Sequence, residues 1–490
     1  MMAGDDDGLL AARDMDLQEN KGAKLFQDSV HDVMRFHKLI VKFIDTKEFQ
    51  RLRNIKQLST TYLVYPAAAH NRFEHCLGVC YLAGELLSNL EENSKNLWNK
   101  IFPVAEEWKK KKLAVQIAGL LHDLGHGPFS HTWEKFVLSA TGEKWDHEAT
   151  SCALIDEIIW DGENKELTEV GKCFQEEFHD VEEYVQFIKD IIRGDKINDI
   201  IKDGSASDKI KAFLYQVVAN KINDVDVDKF DYFLRDAQHL NIGVPFNYTR
   251  LINLCRIEIE DGISYIAFRD CESYSLKGLF RTRADLHIRA YQHRVAKCLE
   301  TMLVDALCAA DREGFEVGGF RLSRVQECPR LFIRMTDSIL ETIQNSEEEP
   351  FKKARAIINR IVTRKLYEVV GEWVLDVVQT ENDIQNNKPP SGLEHEKLIE
   401  LENKLGTKCA VTQVCVNMGK YYNPMKNMRL YAKNGRRDIL DENTPSIVMD
   451  LPFYKVYVFK KEQENTDNEE IKMTVKEFLI EQRVYREGNE

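Results

Sequence analysis

The stretch LAVQIAGLLHDLGHGPFSH, residues 113–131, constrains this chain most. Leu113, Ile117, Leu120, Leu121 and Leu124 recur at helical spacing, which predicts a helix with an apolar side facing a core. His122 and Asp123 stand side by side near its end. An ionised aspartate in such surroundings is costly unless a cation, hydrogen-bond donors or a metal compensate it. Gly125, Gly127 and Pro128 then stop the helix, and a new one is expected from His131. The chain must therefore build a largely helical core that encloses a polar pair. Alone, a His-Asp pair at a helix end is ordinarily held by local hydrogen bonds. Here His126 and His131 follow closely, so four metal ligands or proton carriers fall within ten residues, with glycines that allow close backbone approach.

At 490 residues the chain exceeds one simple core, and two or more lobes are expected. Residues 1–20 are acidic and read as disordered. A strong helix opens after Pro66, in AAAHNRFEHCLGVCYLAGELLSNL, with Asn71 as its cap and Glu74 three residues on. Further helices are predicted over about 206–220, 225–239 and 276–312. Before the last of these, RIEIEDGISYIAFRD reads as a hairpin turning at Asp261–Gly262. Beyond about 400 the texture becomes β-rich. TKCAVTQVCV, MRLYAKNGRR and FYKVYVFK read as strands, with a turn at Asn434–Gly435. The polar stretch 380–397, with Pro389–Pro390, reads as a loop or boundary, and QENTDNEE at 463–470 as a solvated loop. The expected fold class is mainly α: a helical core with a small β-hairpin and a C-terminal α+β lobe. The expected division is a disordered N-terminus over 1–20, the core with a regulatory N-terminal segment over 21–312, and a C-terminal helical and α+β lobe over 313–490.

A formal net charge of −14 argues against broad coating of nucleic acid, yet leaves room for a small basic pocket. The eleven cysteines are scattered without a C-x-x-C pair, and the acidic start carries no signal-peptide pattern. No apolar run approaches the roughly 20 residues of a membrane helix. Reduced thiols in the nucleus or cytosol, and no membrane partner, are expected.

Three further segments bear chemistry. In HNRFEH, Arg72 and His75 share a helical face, and a planar guanidinium beside an imidazole suits phosphate oxygens near a metal. In DVDVDKFDYFLRDAQH, Val227, Phe230, Leu234 and Ala237 form an apolar stripe, while Asp228, Tyr232 and Asp236 share another face. That second face reads either as an acidic solvated surface or as the source of a fourth ligand, Asp228, beside His75, His122 and Asp123. Mixed imidazole and carboxylate ligands suit Fe, Mn, Ni, Zn or, less well, Mg. In SLKGLFRTRADLHIRAYQHRVAK, six basic residues meet one acid, and Arg283, His287, Tyr291 and Arg294 share a face. A solvated basic face and a wall for a polyphosphate are both open there.

Taken together and in this order, HNRFEH, LLHDLGHGPFSH, DVDKFDYFLRDAQHL and RAYQHR resemble the HD-domain metal phosphohydrolases. Within them they resemble the deoxynucleoside triphosphate triphosphohydrolases of the SAM- and HD-domain-containing type. The resemblance runs from about Lys24 to about Arg364. No SAM-domain sequence precedes it, so a short family member or an isolated catalytic core is expected.

The resemblance implies hydrolysis of deoxynucleoside triphosphates to deoxynucleoside and inorganic triphosphate, in control of deoxynucleotide pools. It implies His75, His122, Asp123 and Asp228 as metal ligands, for Fe, Mn, Zn or Mg. A general acid is needed for the 5′ oxygen, with His131 first and His126 second, and Glu134 and His147 orienting or relaying protons. Glu134 stands where the family commonly has aspartate. Arg72, Lys229 and Arg283 would hold phosphates and Tyr232 would donate a hydrogen bond. Gln57 and Asp236 would read the 3′-hydroxyl, Leu58 and Tyr291 would crowd the 2′ position, and Gln292 would lie near the base. The family is activated by GTP or dGTP and by deoxynucleotides bound between the subunits of a homotetramer. Lys24, Asp45, Gln50 and Arg53 match one nucleotide pocket, and Arg250, Arg269, His293, Arg294 and Arg364 match its neighbour. Cys271, Glu368 and Tyr422 stand where the family has basic residues, and Gln27 and Ser275 replace asparagines. An intact reaction site with an altered activator requirement is therefore expected. The alternatives are another HD-type nucleotide phosphohydrolase or phosphodiesterase, or a non-catalytic nucleotide-sensing or nucleic-acid-binding oligomer.

Overall fold

A computed structural model describes residues 22–162, 164–376, 391–419, 423–433, 437–439, 453–462 and 467–485. The acidic segment 1–20, Pro389–Pro390, Tyr422, Asn434–Gly435 and residues 463–466 lie outside them, and with them the readings made there.

The fold is mainly α, as the apolar periodicity predicts. Strands β1 (Lys24–Asp28) and β2 (Asp32–Phe36) form an antiparallel hairpin that the helical reading passed over. Its turn is closed by the Asp28 carboxylate, which accepts the backbone N–H groups of Val30 and His31 at 2.9 and 3.0 Å. Helix α1 (Arg72–Asn93) starts where the capping pattern places it. The Asn71 backbone N–H donates to the Glu74 carboxylate at 2.7 Å. Helix α2 (Ala105–Leu121) packs along α1, and His122 caps its C-terminal end. Helix α3 (His131–Thr141) and helix α4 (His147–Ile159) follow the glycine-rich turn, and helix α5 (Val227–Leu240) packs on the other side of α1.

The predicted Asp261–Gly262 turn joins β3 (Arg256–Glu260) to β4 (Ile263–Arg269), with both turn residues at positive φ, 50° and 79°. Helix α6 (Ser273–Leu286) runs into a π turn over His287–Tyr291 before helix α7 (Arg294–Arg312) begins. The single helix expected over 276–312 is thus interrupted, and the extra residue per turn carries Arg294 out of the face that Arg283, His287 and Tyr291 share. The helix expected over about 206–220 is likewise cut short. Only Ala206–Ile210 is α-helical, because the next turn hydrogen-bonds to β4 instead. The Phe213 N–H reaches Ser264 Oγ at 3.0 Å, and the Gln216 amide bridges Ser264 O and Ile266 N at 3.0 and 3.1 Å.

The C-terminal part contains β5 (Glu368–Leu375), helix α8 (His395–Leu405), β6 (Cys409–Val416), β7 (Arg429–Tyr431), β8 (Arg437–Ile439), β9 (Phe453–Lys460) and helix α9 (Asn468–Glu481). Strand β5 escaped the sequence reading. It pairs antiparallel with β9, which pairs antiparallel with β6. Strand β7 instead runs parallel to β4, giving a four-stranded sheet ordered β8-β7-β4-β3. The main apolar core extends from Met34 to Phe459, and a smaller one lies between the three-stranded sheet, α8 and α9. All eleven cysteines are free thiols. Among the described residues no helix is long and apolar enough to cross a membrane.

Candidate functional site

The ends of α1, α2 and α5 meet around a buried group of imidazoles and carboxylates. His75 Nε2 lies 3.1 Å from Asp228 Oδ1 and 3.4 Å from Asp123 Oδ2. His122 Nε2 lies 3.4 Å from both Asp123 Oδ1 and Asp228 Oδ1. Each imidazole is fixed through its other nitrogen. His75 Nδ1–H donates to Asp231 Oδ2 at 2.7 Å, and His122 Nδ1–H donates to the Gly119 carbonyl at 2.9 Å. The Nε2 atoms of both are buried without a hydrogen bond. Two orphaned imidazole nitrogens turned toward two carboxylates are what a bound cation would satisfy, so the residues present fit a divalent metal. Burial opposes charge on Asp123 and Asp228, but Arg72, His122 and His126 outweigh it at Asp123, and His122 and His75 at Asp228, so both carboxyls are held below the usual range.

Arg72 binds the Asp123 carboxylate through Nη1 and donates from Nε to Ser130 Oγ at 3.0 Å. A second group, His126, His131, Glu134 and His147, adjoins the first. The His126 and His147 rings stack 3.9 Å apart. Glu134 Oε1 lies 3.1 Å from His131 Nδ1 and 2.8 Å from His147 Nδ1. Burial opposes the charge on His147, yet Glu134 raises its pKa above the ordinary imidazole value. His126 is pushed well below that value by burial and by Arg72. His131 is 64% exposed at its side chain, whereas the His75 side chain is 1% exposed. Gly125 sets how closely the groups approach. A Cβ there would fall 2.2 Å from the His147 carbonyl oxygen and 2.3 Å from Ser151 N.

Both groups face one cavity of about 450 Å³. It brings together Arg72, Asp123, His126, His131, His147 and Asp228 with Gln57, Leu58, Tyr232, Asp236, Arg283, Tyr291 and Gln292. Asp236 is buried, accepting from His70 Nε2 at 2.6 Å and from the Tyr291 hydroxyl. Arg283 contacts His287, which burial and that guanidinium keep neutral. Lys229 is placed apart from the other expected phosphate ligands. Its ammonium is held by Asp224 and Asp226 at 3.0 and 3.1 Å and faces an adjoining recess of about 190 Å³ that shares Asp123, His147 and Asp228.

The remaining expected residues lie outside the cavity. Lys24 pairs with Asp45 at 3.0 Å, and Arg53 donates to Gln50 at 2.8 Å while stacking on Phe73. Arg250 pairs with Glu272, Arg269 with Asp270, and Arg364 donates to the Leu63 carbonyl. His293 stands near the Tyr65 ring, and Arg294 is exposed. Cys271 is exposed and Glu368 accepts from Asn468.

Several structural participants escaped the sequence reading. Arg51 is buried and grips the His126 carbonyl through both terminal nitrogens at 2.9 and 2.7 Å. Asp337 accepts the Lys56 and Phe129 N–H groups at 2.9 and 2.6 Å and so ties together the two loops that bear Gln57 and His131. Burial outweighs those donors and pushes its carboxyl up to about 7. Lys135 and Lys297 share the Glu300 carboxylate on the cavity wall. Asp231 and Arg235 had one legible signal, an i, i+4 charge pair on a helix otherwise read for its other faces.

Comparisons with known proteins agree with this geometry. Residues 72–233, which span all four candidate ligands, match the HD domain. The chain is 37% identical over 431 residues to the deoxynucleoside triphosphate triphosphohydrolase SAMHD1 of Danio rerio, covering 84% of this chain and 66% of that protein. It is 37% identical over 434 residues to the protein of the same name from Bos taurus, covering 84% and 70%. It is 36% identical over 367 residues to the SAMHD1 homolog of Dictyostelium discoideum, covering 74% and 63%. The chain thus spans about two thirds of the length of these relatives.

Proposed function

The chain belongs to the family of HD-domain deoxynucleoside triphosphate triphosphohydrolases, and from that premise we propose that its main cavity hydrolyses a deoxynucleoside triphosphate to deoxynucleoside and inorganic triphosphate. The observation that carries this is that His75 and His122 lie within 3.4 Å of Asp123 and Asp228, the two carboxylates that line one cavity with Arg72, Arg283 and the Asp236–Tyr291 pair.

A divalent ion held by those four residues would supply an activated water and offset phosphate charge. The protein's own groups do the rest. Arg72 and Arg283 bind the polyphosphate, and Lys229 reaches it from the adjoining recess. Tyr232 donates a hydrogen bond to it. His131 donates the proton that the departing 5′ oxygen needs, with His126 as the alternative donor. Glu134 and His147 hold that proton in reserve. Gln57 and Asp236 read the 3′-hydroxyl. Leu58 and Tyr291 leave no room at the 2′ position, which excludes ribose by collision. Gln292 lies near the base. Incubating the protein with one deoxynucleoside triphosphate and an Fe, Mn, Zn or Mg series tests this directly. Inorganic triphosphate and the free deoxynucleoside are expected, and orthophosphate or a nucleoside monophosphate as the product rejects the reading.

Regulation by GTP or dGTP and deoxynucleotides in a homotetramer is part of the same proposal. Lys24, Asp45, Gln50 and Arg53 would form one pocket, and Arg250, Arg269, His293, Arg294 and Arg364 its neighbour. Exposed Cys271 and the acidic Glu368 reduce the positive charge available to two triphosphates there. The activator requirement is accordingly altered. Hydrolysis measured with and without GTP, beside a SAMHD1 relative, checks it. An identical dependence rejects the altered requirement.

A further inference from the structure

Asp231 is fully buried and, as a carboxylate, can only accept hydrogen bonds. Three side chains supply donors. Oδ2 accepts from His75 Nδ1 at 2.7 Å and from Arg235 Nε at 2.9 Å. Oδ1 accepts from Arg235 Nη2 at 2.8 Å and from His31 Nε2 at 2.7 Å. His31 belongs to the turn of the β1–β2 hairpin. Its other nitrogen meets the Tyr248 hydroxyl at 3.3 Å. The same turn supplies Asp28, whose carboxylate takes Arg235 Nη1 and Nη2 at 2.9 and 3.2 Å. Two of the three links behind Asp231 therefore trace to one short hairpin far away in sequence. Helix α1 makes room for this arrangement at Gly78, where a Cβ would fall 1.8 Å from Asp231 Oδ1.

We propose that the β1–β2 turn is the outer wall of the metal centre, with His31 and Asp28 as positioning residues that orient the ligand His75 through Asp231 and Arg235. This rests on His75 being a metal ligand. The Asp231 bond forces the proton of His75 onto Nδ1 and leaves the Nε2 lone pair for the cation. Without His31, one Asp231 oxygen loses a donor and the carboxylate is free to turn toward Arg235, taking His75 with it. Leu25 and Val33 on the same hairpin are exposed and take no part in these side-chain bonds.

The test loads the full chain with Mn²⁺ alone and follows Mn²⁺ loss to excess chelator, with no nucleotide present. His31→Ala and Asp28→Asn, which act behind the direct partner Asp231, are expected to lose Mn²⁺ up to about tenfold faster, the lower end of the roughly ten- to hundredfold cost in affinity of removing a direct partner. His31→Gln retains a donor and should recover part of the difference. Leu25→Ala, on the same hairpin but outside the network, should match the wild type. Loss rates for His31→Ala and Asp28→Asn equal to wild type overturn the inference. So does an equal acceleration by Leu25→Ala, which would mark a general loosening of the hairpin. If His31→Ala does not fold, His31→Gln and Asp28→Asn decide alone: an unchanged rate in both overturns the inference. A wild-type chain that holds no Mn²⁺, Fe²⁺ or Zn²⁺ at all overturns instead the metal-site reading on which the inference rests.

Discussion

Two histidine–carboxylate groups lie side by side in this protein, and they are built in opposite ways. In the first, His75 and Asp228 stand in the opening turns of α1 and α5, His122 and Asp123 sit just past the end of α2, and both Nε2 atoms are buried without a partner. In the second, His126, His131, Glu134 and His147 come from one turn and two helix starts, His131 is largely exposed, and two imidazoles already share a carboxylate. Composition does not separate them, since each could hold a cation by distance alone. The shared carboxylate does: Glu134 bonds both His131 and His147, whereas the first group has no such hydrogen-bonded bridge, even though His126 Nδ1 is, like the Nε2 atoms of His75 and His122, buried without a partner. Orphaned, oriented nitrogens are prepared for a cation. Imidazoles bonded to a common carboxylate are prepared to keep and pass a proton.

That contrast can be broken most forcefully at Asp123. Asp123→Ala should remove bound metal and lower kcat/KM by about a thousandfold or more, since Lewis-acid assistance is worth several kcal/mol and each 1.36 kcal/mol is tenfold. Metal analysis beside turnover reads this, and a mutant with wild-type metal content would erase the distinction between the groups. In the second group, His131→Ala should lower kcat by about 10²–10⁴-fold, the usual worth of a positioned acid, with metal content unchanged. Loss of metal there would reassign His131 to the first group. Gly78→Ala tests the packing behind the first group. The added methyl collides with Asp231, and overpacking of this kind costs about 1–3 kcal/mol in chemical denaturation. The smallest effect is a displaced pH profile. Glu134 raises the pKa of His147 against the opposing effect of burial. If the protonated form serves the reaction, activity is present at low pH and fades as pH rises through that raised pKa. Glu134→Gln removes the charge, so the alkaline limb of kcat should move to lower pH. A limb that stays in place would mean His147 carries no such proton.

Much of the first group was legible because helical spacing and motif order act locally. His122–Asp123 could be placed at a helix end, and Asn71–Glu74 fixed where the helix bearing His75 begins. The hidden parts depend on neighbours distant in sequence. Asp231 and Arg235 gain their meaning only when His31 and Asp28 arrive from the N-terminal hairpin. Arg51 and Asp337 gain meaning only because loops 51–57 and 126–131 fold against each other. The π turn at His287–Tyr291 leaves the composition untouched, yet it decides that Tyr291 faces the cavity while Arg294 does not. Strand β5 becomes visible only through its pairing with β9.

Gly125 has a consequence for how a chain of this kind can vary. The gap between the two groups is set by backbone lying on backbone, with His147 O and Ser151 N occupying the space of a missing methyl. No neighbouring side chain can shrink to accommodate a larger residue there. A library of substitutions at this position would therefore divide sharply into glycine and inactive, whereas the cavity walls around Leu58 or Gln292 would yield graded changes in which nucleotide is taken. The instrument is tuned at its walls and keyed at one atom between its two histidine groups.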